Sequence, residues 1–283
     1  MSKQKLFLLD AYALIYRAYY AFIKNPRVNS KGQNTSAIFG FVNTLEEVLK
    51  KENPSYIAVA FDPPGPTFRH TEFEAYKAQR EATPEDIKAS VPLIKKILEA
   101  YNIPVLEKEG FEADDVIGTL AKKADKDKFD VYMMTPDKDY GQLTEQHVFI
   151  YKPKYGSNEF EILDDKKVME KYRVSHPSQV IDLLGLMGDT SDNIPGCPGV
   201  GPKTAEKLLE EFGSVENLLE NSDKLKGTLR TKIEENKEQI LFSKFLATIR
   251  TDVPIETSIE SLKRKELNET AIKEIFEELE FRT

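Results

Sequence analysis

The sequence has no tryptophan, one cysteine and three histidines. A lone cysteine, Cys197, excludes an internal disulfide and fits a reducing setting, so the cytoplasm is the expected compartment. With so few histidines and thiols, a zinc centre is a poor organising feature. No apolar run reaches the length of a bilayer span, so no membrane partner is expected. Lys3 to Leu9 briefly imitates a secretory signal. Asp10 and Arg17 interrupt it and no small-residue cleavage site follows, so it reads as a buried first strand. Repeats, low-complexity tracts and long linkers are also missing. So is any excess of basic charge: the net charge of −8 argues, at face value, against a nucleic-acid partner.

What the chain does have is 283 residues, enough for one large domain or two smaller ones, and closely spaced carboxylates. Glu112-Ala113-Asp114-Asp115 is answered by Asp137-Lys138-Asp139. Like charges packed this closely are unfavourable unless a cation lies between them, and a pair of divalent metal ions is the simplest candidate.

Taken in order, Lys5 to Leu9 predicts a buried strand ending at Asp10, and Ala11 to Ile23 a helix holding Arg17 and four tyrosines. Thr35 or Ser36 starts a helix with Ile38, Phe41, Val42, Leu45 and Leu49 on one face. Tyr56 to Phe61 predicts a second strand stopping at Asp62. The aromatic and basic stretch 67–83 has no clean apolar stripe, and Thr83-Pro84-Glu85-Asp86 opens a helix to about Tyr101. Ile103 to Leu106 predicts a third strand. A helix from Ala113 would then carry Glu112, Asp114 and Asp115 at its N-terminus, where the macrodipole favours negative charge. Val131 to Met134 predicts a fourth strand, running into Asp137 and Asp139.

Strands alternating with helices predict an α/β fold with a mostly parallel sheet and helices on both faces. Ligands of such sheets sit at the carboxyl ends of strands, where Asp10, Asp62 and Asp137 all fall. After Tyr151 the pattern changes to a weak β segment over 159–163 and helices near 164–172 and 177–187. We place a soft boundary near 175, giving parts 1–175 and 176–283. Residues 268–283 look like a helix cut short, as in a chain that continues in a longer parent.

Each motif has a plain alternative. Acids at a helix start serve as caps, and single aspartates such as Asp10 and Asp62 serve turns. Their convergence at one end of one sheet is what favours metal. Asp189 and Asp192, in Met187-Gly188-Asp189-Thr190-Ser191-Asp192-Asn193, add a pair that could face one side of a helical turn. Oxygen ligands point to Mg²⁺ or Mn²⁺. In Gly199-Val200-Gly201-Pro202-Lys203-Thr204-Ala205, the glycines permit a tight turn and Pro202 suits a first helical position. This is either an ordinary connecting turn or a phosphate seat at a helix N-terminus with Lys203 beside it. It does not fit a mononucleotide P-loop. Residues 67–83 are either a solvated helix or a cover that brings Lys77 and Arg80 over the acids, where cations stabilise phosphate charge and Tyr76 could stack on a base.

These residues together resemble the 5′ nuclease family of flap endonucleases, phage 5′ exonucleases and the N-terminal domain of bacterial DNA polymerase I. The resemblance covers essentially the whole chain. It rests on Leu9-Asp10, Phe61-Asp62, Phe68-Arg69, Tyr76-Lys77 with Arg80, the Glu112–Asp115 and Asp137–Asp139 groups, Gly188–Asn193 and the hairpin; the ending Leu279-Glu280-Phe281 is similar to a junction with a polymerase half. It implies a PIN-like catalytic domain, a helical arch at about 67–90 and a helix–hairpin–helix at about 185–220 that grips duplex DNA. It implies one metal group of Asp10, Asp62, Glu112, Asp114 and Asp115 and a second of Asp137, Asp139, Asp189 and Asp192. Lys77 and Arg80 match the arch cations, Tyr76 the stacking aromatic and Arg17 a basic residue near the scissile strand. Hairpin carbonyls in this family also bind K⁺. Pro136 and Cys197 depart from the usual pattern without touching a ligand.

Setting those nine acids aside moves the net charge from −8 to +1, so a basic DNA-facing surface is compatible with the composition. The resemblance implies a monomeric, divalent-metal-dependent nuclease acting on DNA with a 5′ flap or free 5′ end, or on an RNA primer–DNA hybrid, in replication and repair. Hydrolysis by in-line attack would leave a 5′-phosphate and a 3′-hydroxyl. Three rivals stand beside it: a non-catalytic DNA-binding module supported by the hairpin alone, a small-substrate phosphohydrolase, and a PIN-type ribonuclease.

Overall fold

A computed structural model describes residues 3–154 and 159–281. The first strand, β1 (Gln4–Asp10), is the apolar run that opens the chain, and it passes directly into α1 (Ala11–Ala21). Asp10 makes that junction by accepting a hydrogen bond from the Ala13 amide (3.2 Å) as the helix N-cap. Next come α2 (Ser36–Lys51), β2 (Tyr56–Ala60), α3 (Phe68–Glu72), α4 (Glu85–Ala100) and β3 (Val105–Leu106). The helix α5 (Ala113–Lys123), the strands β4 (Phe129–Met134), β5 (Val148–Pro153) and β6 (Phe160–Leu163), and α6 (Asp165–Tyr172) complete the sheet region. The remainder is helical: α7 (Gln179–Met187), α8 (Pro202–Phe212), α9 (Val215–Glu220), α10 (Gly227–Glu235), α11 (Lys237–Ala247) and α12 (Glu269–Glu278).

The six-stranded sheet has the order β3-β2-β1-β4-β5-β6, with β1 to β5 parallel and β6 antiparallel at the edge. Its period of two divides the strand residues between two cores. Phe7, Leu9, Ile57 and Val59 point to the face covered by α1, α2, α4 and α12. Leu6, Leu8, Ala58, Ala60 and Met133 point to the other, covered by α5 and by Val180, Leu184, Leu246 and Ile249 of the helical part. A third cluster, with Leu183, Ala205, Leu208, Leu218 and Ile240, holds the helical part together around the hairpin. Among the described residues no helix is long and apolar enough to cross a membrane.

The departures from expectation are local. The third strand shortens to Val105–Leu106; Pro104 can offer its carbonyl to Val59 but has no amide to donate. A further parallel strand, β5, follows Thr144 where none was expected; Val148-Phe149-Ile150-Tyr151 is an apolar run of the same kind as Leu6-Phe7-Leu8-Leu9, but no acid follows it. Residues 67–83 do not form one helix. A single short helix, α3, is capped by Thr67 and His70, and the chain then turns through Lys77. At the C-terminus α12 stops at Glu278 and Phe281 packs on Phe39 and Phe276; Arg282 and Thr283 of the expected cut helix lie outside the described residues.

The helices α1 and α2 approach so closely that a Cβ at Gly40 would lie 2.7 Å from Ala18 Cβ and 3.2 Å from Ala18 Cα. Gly40→Ala therefore forces the pair apart and should cost about 1–3 kcal/mol of stability in urea unfolding. At Gly65 a Cβ would meet nothing within 4 Å. Gly65→Ala should leave stability within about 1 kcal/mol of the parent.

Candidate active site

The register places the acids. Asp10 pairs with Ala60, and its neighbour Leu9 with Met134, so Asp10, Asp62 and Asp137 emerge together at the carboxyl end of the sheet. There they line a cleft of about 520 Å³ together with Glu112, Asp114, Lys77 and Arg80. Asp62 accepts the Ala113 amide at 2.7 Å and so fixes the N-terminus of α5 beside the ends of β1 and β2. Asp10 accepts from Thr135 Oγ1 (3.2 Å) and Tyr140 Oη (3.3 Å). Asp137 is held by its own amide on Thr135 Oγ1 (3.1 Å) and by accepting the Asp139 amide (3.0 Å).

This gathering is electrostatically unfavourable. Burial, then the neighbouring Asp62 and Asp137 charges, push the Asp10 carboxyl up to about 7. Burial, Asp137 and Asp189 push Asp139 up to about 8. Asp62, Asp114 and Asp137 are also raised, each chiefly by burial. Glu112 moves the other way: burial pushes it up, but Lys77 and Arg69 outweigh that and hold it below its ordinary value. For Asp189, the Lys138 ion pair and the Ser191 hydrogen bonds outweigh burial in the same sense.

Asp114 Oδ1 and Asp139 Oδ1 are buried without a hydrogen-bond partner. Asp189 Oδ2 has Lys138 Nζ at 2.7 Å, an ion-pair contact rather than a well-aligned hydrogen bond. Orphaned carboxylate oxygens among acids with raised pKa values are what a hard divalent cation satisfies, so the donor set fits Mg²⁺ or Mn²⁺. Among the described residues no three such side chains already converge on one point. Lys77, Arg80 and Lys138 span the acids instead: Lys77 Nζ lies 2.8 Å from Glu112 and 3.6 Å from Asp192, and Arg80 pairs with Asp192.

Asp115 needs correction as a ligand. It is fully buried behind the cleft, and its two oxygens accept from Arg69 Nη1 and Nη2 (both 2.8 Å), the Glu112 amide (3.0 Å) and the Arg250 amide (2.8 Å). No lone pair remains for an ion. Tyr76 is also buried, its hydroxyl 3.0 Å from Glu112 and 3.1 Å from Asp192, so its ring is not presented for stacking in this conformation. The hairpin residues Gly199, Gly201 and Lys203 lie at the start of α8, outside the cleft. Lys203 lines a separate pocket with Arg173 and Lys207, and Arg17 a groove with Tyr20 and Lys152.

Sequence reasoning gave no role to Arg69, the most consequential side chain near the cleft. It is 1 % exposed, pairs with Asp115 and Glu112, and donates to the carbonyls of Leu246 (2.9 Å) and Thr248 (2.8 Å). It thereby ties α3, the N-terminus of α5 and the end of α11 together. The available signals were an arginine set among Phe68 and Phe73 and the place of Phe68-Arg69 among the motifs that carry the resemblance.

Residues 5–173 match the 5′-3′ exonuclease N-terminal resolvase-like domain, and residues 175–270 the 5′-3′ exonuclease C-terminal SAM fold. DNA polymerase I of Bacillus subtilis (strain 168) is 46% identical over 284 residues, covering 100% of this chain and 32% of its own length. The 5′-3′ exonuclease of Aquifex aeolicus (strain VF5) is 40% identical over 278 residues, covering 98% of this chain and 93% of its own. The chain thus spans about a third of the DNA polymerase I relative but nearly all of the exonuclease. Among solved structures, the bacteriophage T5 flap endonuclease in a complex with DNA and metal ions aligns with a TM-score of 0.68 at 21% identity, over 98% of this chain and 100% of that one. A likeness at that identity shows a shared fold.

Removing Arg69 strands a buried carboxylate. Arg69→Met should cost about 3–5 kcal/mol in urea unfolding, and Arg69→Met with Asp115→Leu should recover much of it. Recovery absent from the double variant would mean that the Leu246 and Thr248 contacts, not the charge pair, carry the cost.

Proposed function

The chain belongs to the 5′-3′ exonuclease family, and from that premise we propose that it is a divalent-metal-dependent nuclease cutting DNA at a 5′ flap or free 5′ end. The observation that carries this reading is the cleft: Asp10, Asp62 and Asp137 at the carboxyl ends of three parallel strands, with Asp114, whose Oδ1 is buried without a partner, and the cations Lys77 and Arg80 in the same lining. Asp10, Asp62, Glu112 and Asp114 would hold one Mg²⁺ or Mn²⁺ ion and Asp137, Asp139, Asp189 and Asp192 a second. Bound there, the ions would polarise the scissile phosphate and lower the pKa of the attacking water, with in-line displacement leaving a 5′-phosphate and a 3′-hydroxyl.

The chain's own groups do the rest. Asp62 holds the start of α5 against the strand ends, and Asp10 and Asp137 are oriented by Thr135. Lys77 and Arg80 supply positive charge on the side of the cleft from which a phosphate would enter. The turn before α8, with Gly199 and Gly201, and Lys203 in its first turn would offer amide hydrogens and one ammonium to a duplex backbone phosphate, and hairpin carbonyls a seat for K⁺. Arg17, on α1, would steer the strand towards the cleft and Tyr76, once released, would stack on a base. We further propose that the chain is monomeric, works in the cytoplasm, accepts RNA primer–DNA hybrids, and serves replication and repair as part of a DNA polymerase I.

Asp10→Asn and Asp137→Asn should each lower flap cleavage in Mg²⁺ by about a hundredfold or more while flap binding in Ca²⁺ is kept. Lys77→Ala should lower kcat by about a hundredfold. Near-parental rates for both aspartate variants, or cleavage that persists in EDTA, would overturn the metal assignment. Preference for single-stranded RNA over a DNA flap would redirect the reading to a ribonuclease.

A further inference from the structure

Residues 75–80 are strapped to the loop that carries Asp189 and Asp192. The Lys77 amide donates to the Asp192 carbonyl (3.0 Å), and Asn193 Nδ2 donates to the Ala75 carbonyl (2.7 Å). Gln79 Nε2 donates to the carbonyls of Thr190 (2.7 Å) and Ser191 (3.2 Å), and Arg80 Nε to Ser191 (3.2 Å). Within this strap the Lys77 side chain inserts its ammonium between Glu112, at the start of α5, and Asp192, beyond the end of α7. These two acids belong to different proposed ion sites. We propose that the strap is a latch in which Lys77 stands in for a divalent cation, so that ion binding and strap release are one linked event. The proposal rests on the metal reading of the cleft.

Three observations support it. Glu112 and Asp192 repel one another unless a cation lies between them, and Lys77 meets that need from within the chain. An ammonium at 2.8 Å from Glu112 and a divalent ion on the same carboxylate repel each other, so the two compete for one place. Lys77 also adopts φ 55°, a left-handed conformation unfavourable for a long side chain, which the Asp192 and Glu112 contacts maintain. The strap is breakable as well: Gln79 and Arg80 are exposed, so water replaces their hydrogen bonds as they are lost. Reciprocity then follows: whatever holds the strap down weakens ion binding, and bound ions free the strap.

The test uses the whole chain and Mg²⁺ alone, without DNA. Hydrogen exchange across 75–80 should quicken as Mg²⁺ saturates the cleft, because the Lys77 amide loses the Asp192 carbonyl. The double variant Gln79→Ala with Asn193→Gly removes side-chain latch contacts, alters no charge and leaves residue 193 free to keep its φ of 58°. Calorimetry should show it binding Mg²⁺ about threefold to tenfold more tightly than the parent. If Mg²⁺ binds, and Asp137→Asn weakens it, while exchange at 75–80 and the double variant's affinity stay unchanged, the latch is wrong and the metal site stands. Absence of any Mg²⁺ binding sensitive to Asp137→Asn sinks both.

Discussion

The repulsion among carboxylates driven to one end of a parallel sheet is the constraint on which the rest of the structure depends. Burial pushes Asp10, Asp62, Asp114, Asp137 and Asp139 towards protonation, and neighbouring acids add to it in several of these cases. Such a cluster persists only with cations supplied to it, and the chain supplies two kinds. Arg69 is a permanent counter-ion, enclosed on all sides and bonded to the Leu246 and Thr248 carbonyls, so that it cannot leave without unfolding the junction of the two parts. Lys77 and Arg80 are the counter-ions that the proposed latch exchanges: both project from a strap hydrogen-bonded to the Thr190–Asn193 loop, the side chain of Arg80 53% and that of Lys77 19% exposed. Burial thus sets Arg69, enclosed behind the cleft, apart from Arg80 at its surface, with Lys77 between them.

The same distinction separates the acids. Asp114 and Asp115 are adjacent on α5, and successive helical positions point about 100° apart. One side chain therefore faces the cleft while the other faces the core, where Arg69 meets it. Asp115 is not wasted there. It holds the Glu112 amide and the Arg250 amide, and so fixes the angle at which α5 presents Glu112 and Asp114 to the strand ends.

Much of this was legible in the sequence, because the relevant signals were local. Apolar runs that stop at Asp10, at Asp62 and just before Asp137 announce strands with acids at one edge, and the parallel register then brings the three together. The hairpin was legible through Gly199, which adopts φ 76°, and Pro202 at the first position of α8; Gly201, extended and with open space around it, makes no such demand. What escaped depended on distant partners. Nothing adjacent to Asp115 says that its counter-ion lies 46 residues upstream. Nothing in residues 67–83 says that the chain will break after α3 and fold Tyr76 inward onto Glu112 and Asp192. β5 escaped although Val148-Phe149-Ile150-Tyr151 is an apolar run like Leu6-Phe7-Leu8-Leu9; it ends at Lys152-Pro153, without the acid that marked the ends of the other parallel strands.

The segment between the cleft and the hairpin links the two. Asp189 and Ile194 exchange both backbone hydrogen bonds (2.9 and 2.8 Å), closing the loop that presents Asp189 and Asp192. Gly188 and Gly196 then cross so tightly that a Cβ at Gly188 would lie 2.4 Å from the Ile194 carbonyl oxygen, and one at Gly196 2.3 Å from the Gly188 nitrogen. Both have positive φ, and neither site admits a side chain. Ser243 and Gln239 of α11 fasten Gly196 on its amide and its carbonyl, and the Cys197 amide is fastened to Leu186. The loop with the acids and the turn that starts the hairpin are therefore one stiff unit, pinned between α7 and α11. In the proposed function, a phosphate held at the first turn of α8 would lie against the same rigid element that carries Asp189 and Asp192. The distance from a bound duplex to the cleft would then be set by the fold rather than by a flexible linker, and the strap that carries Lys77 would be the softer side for strand entry.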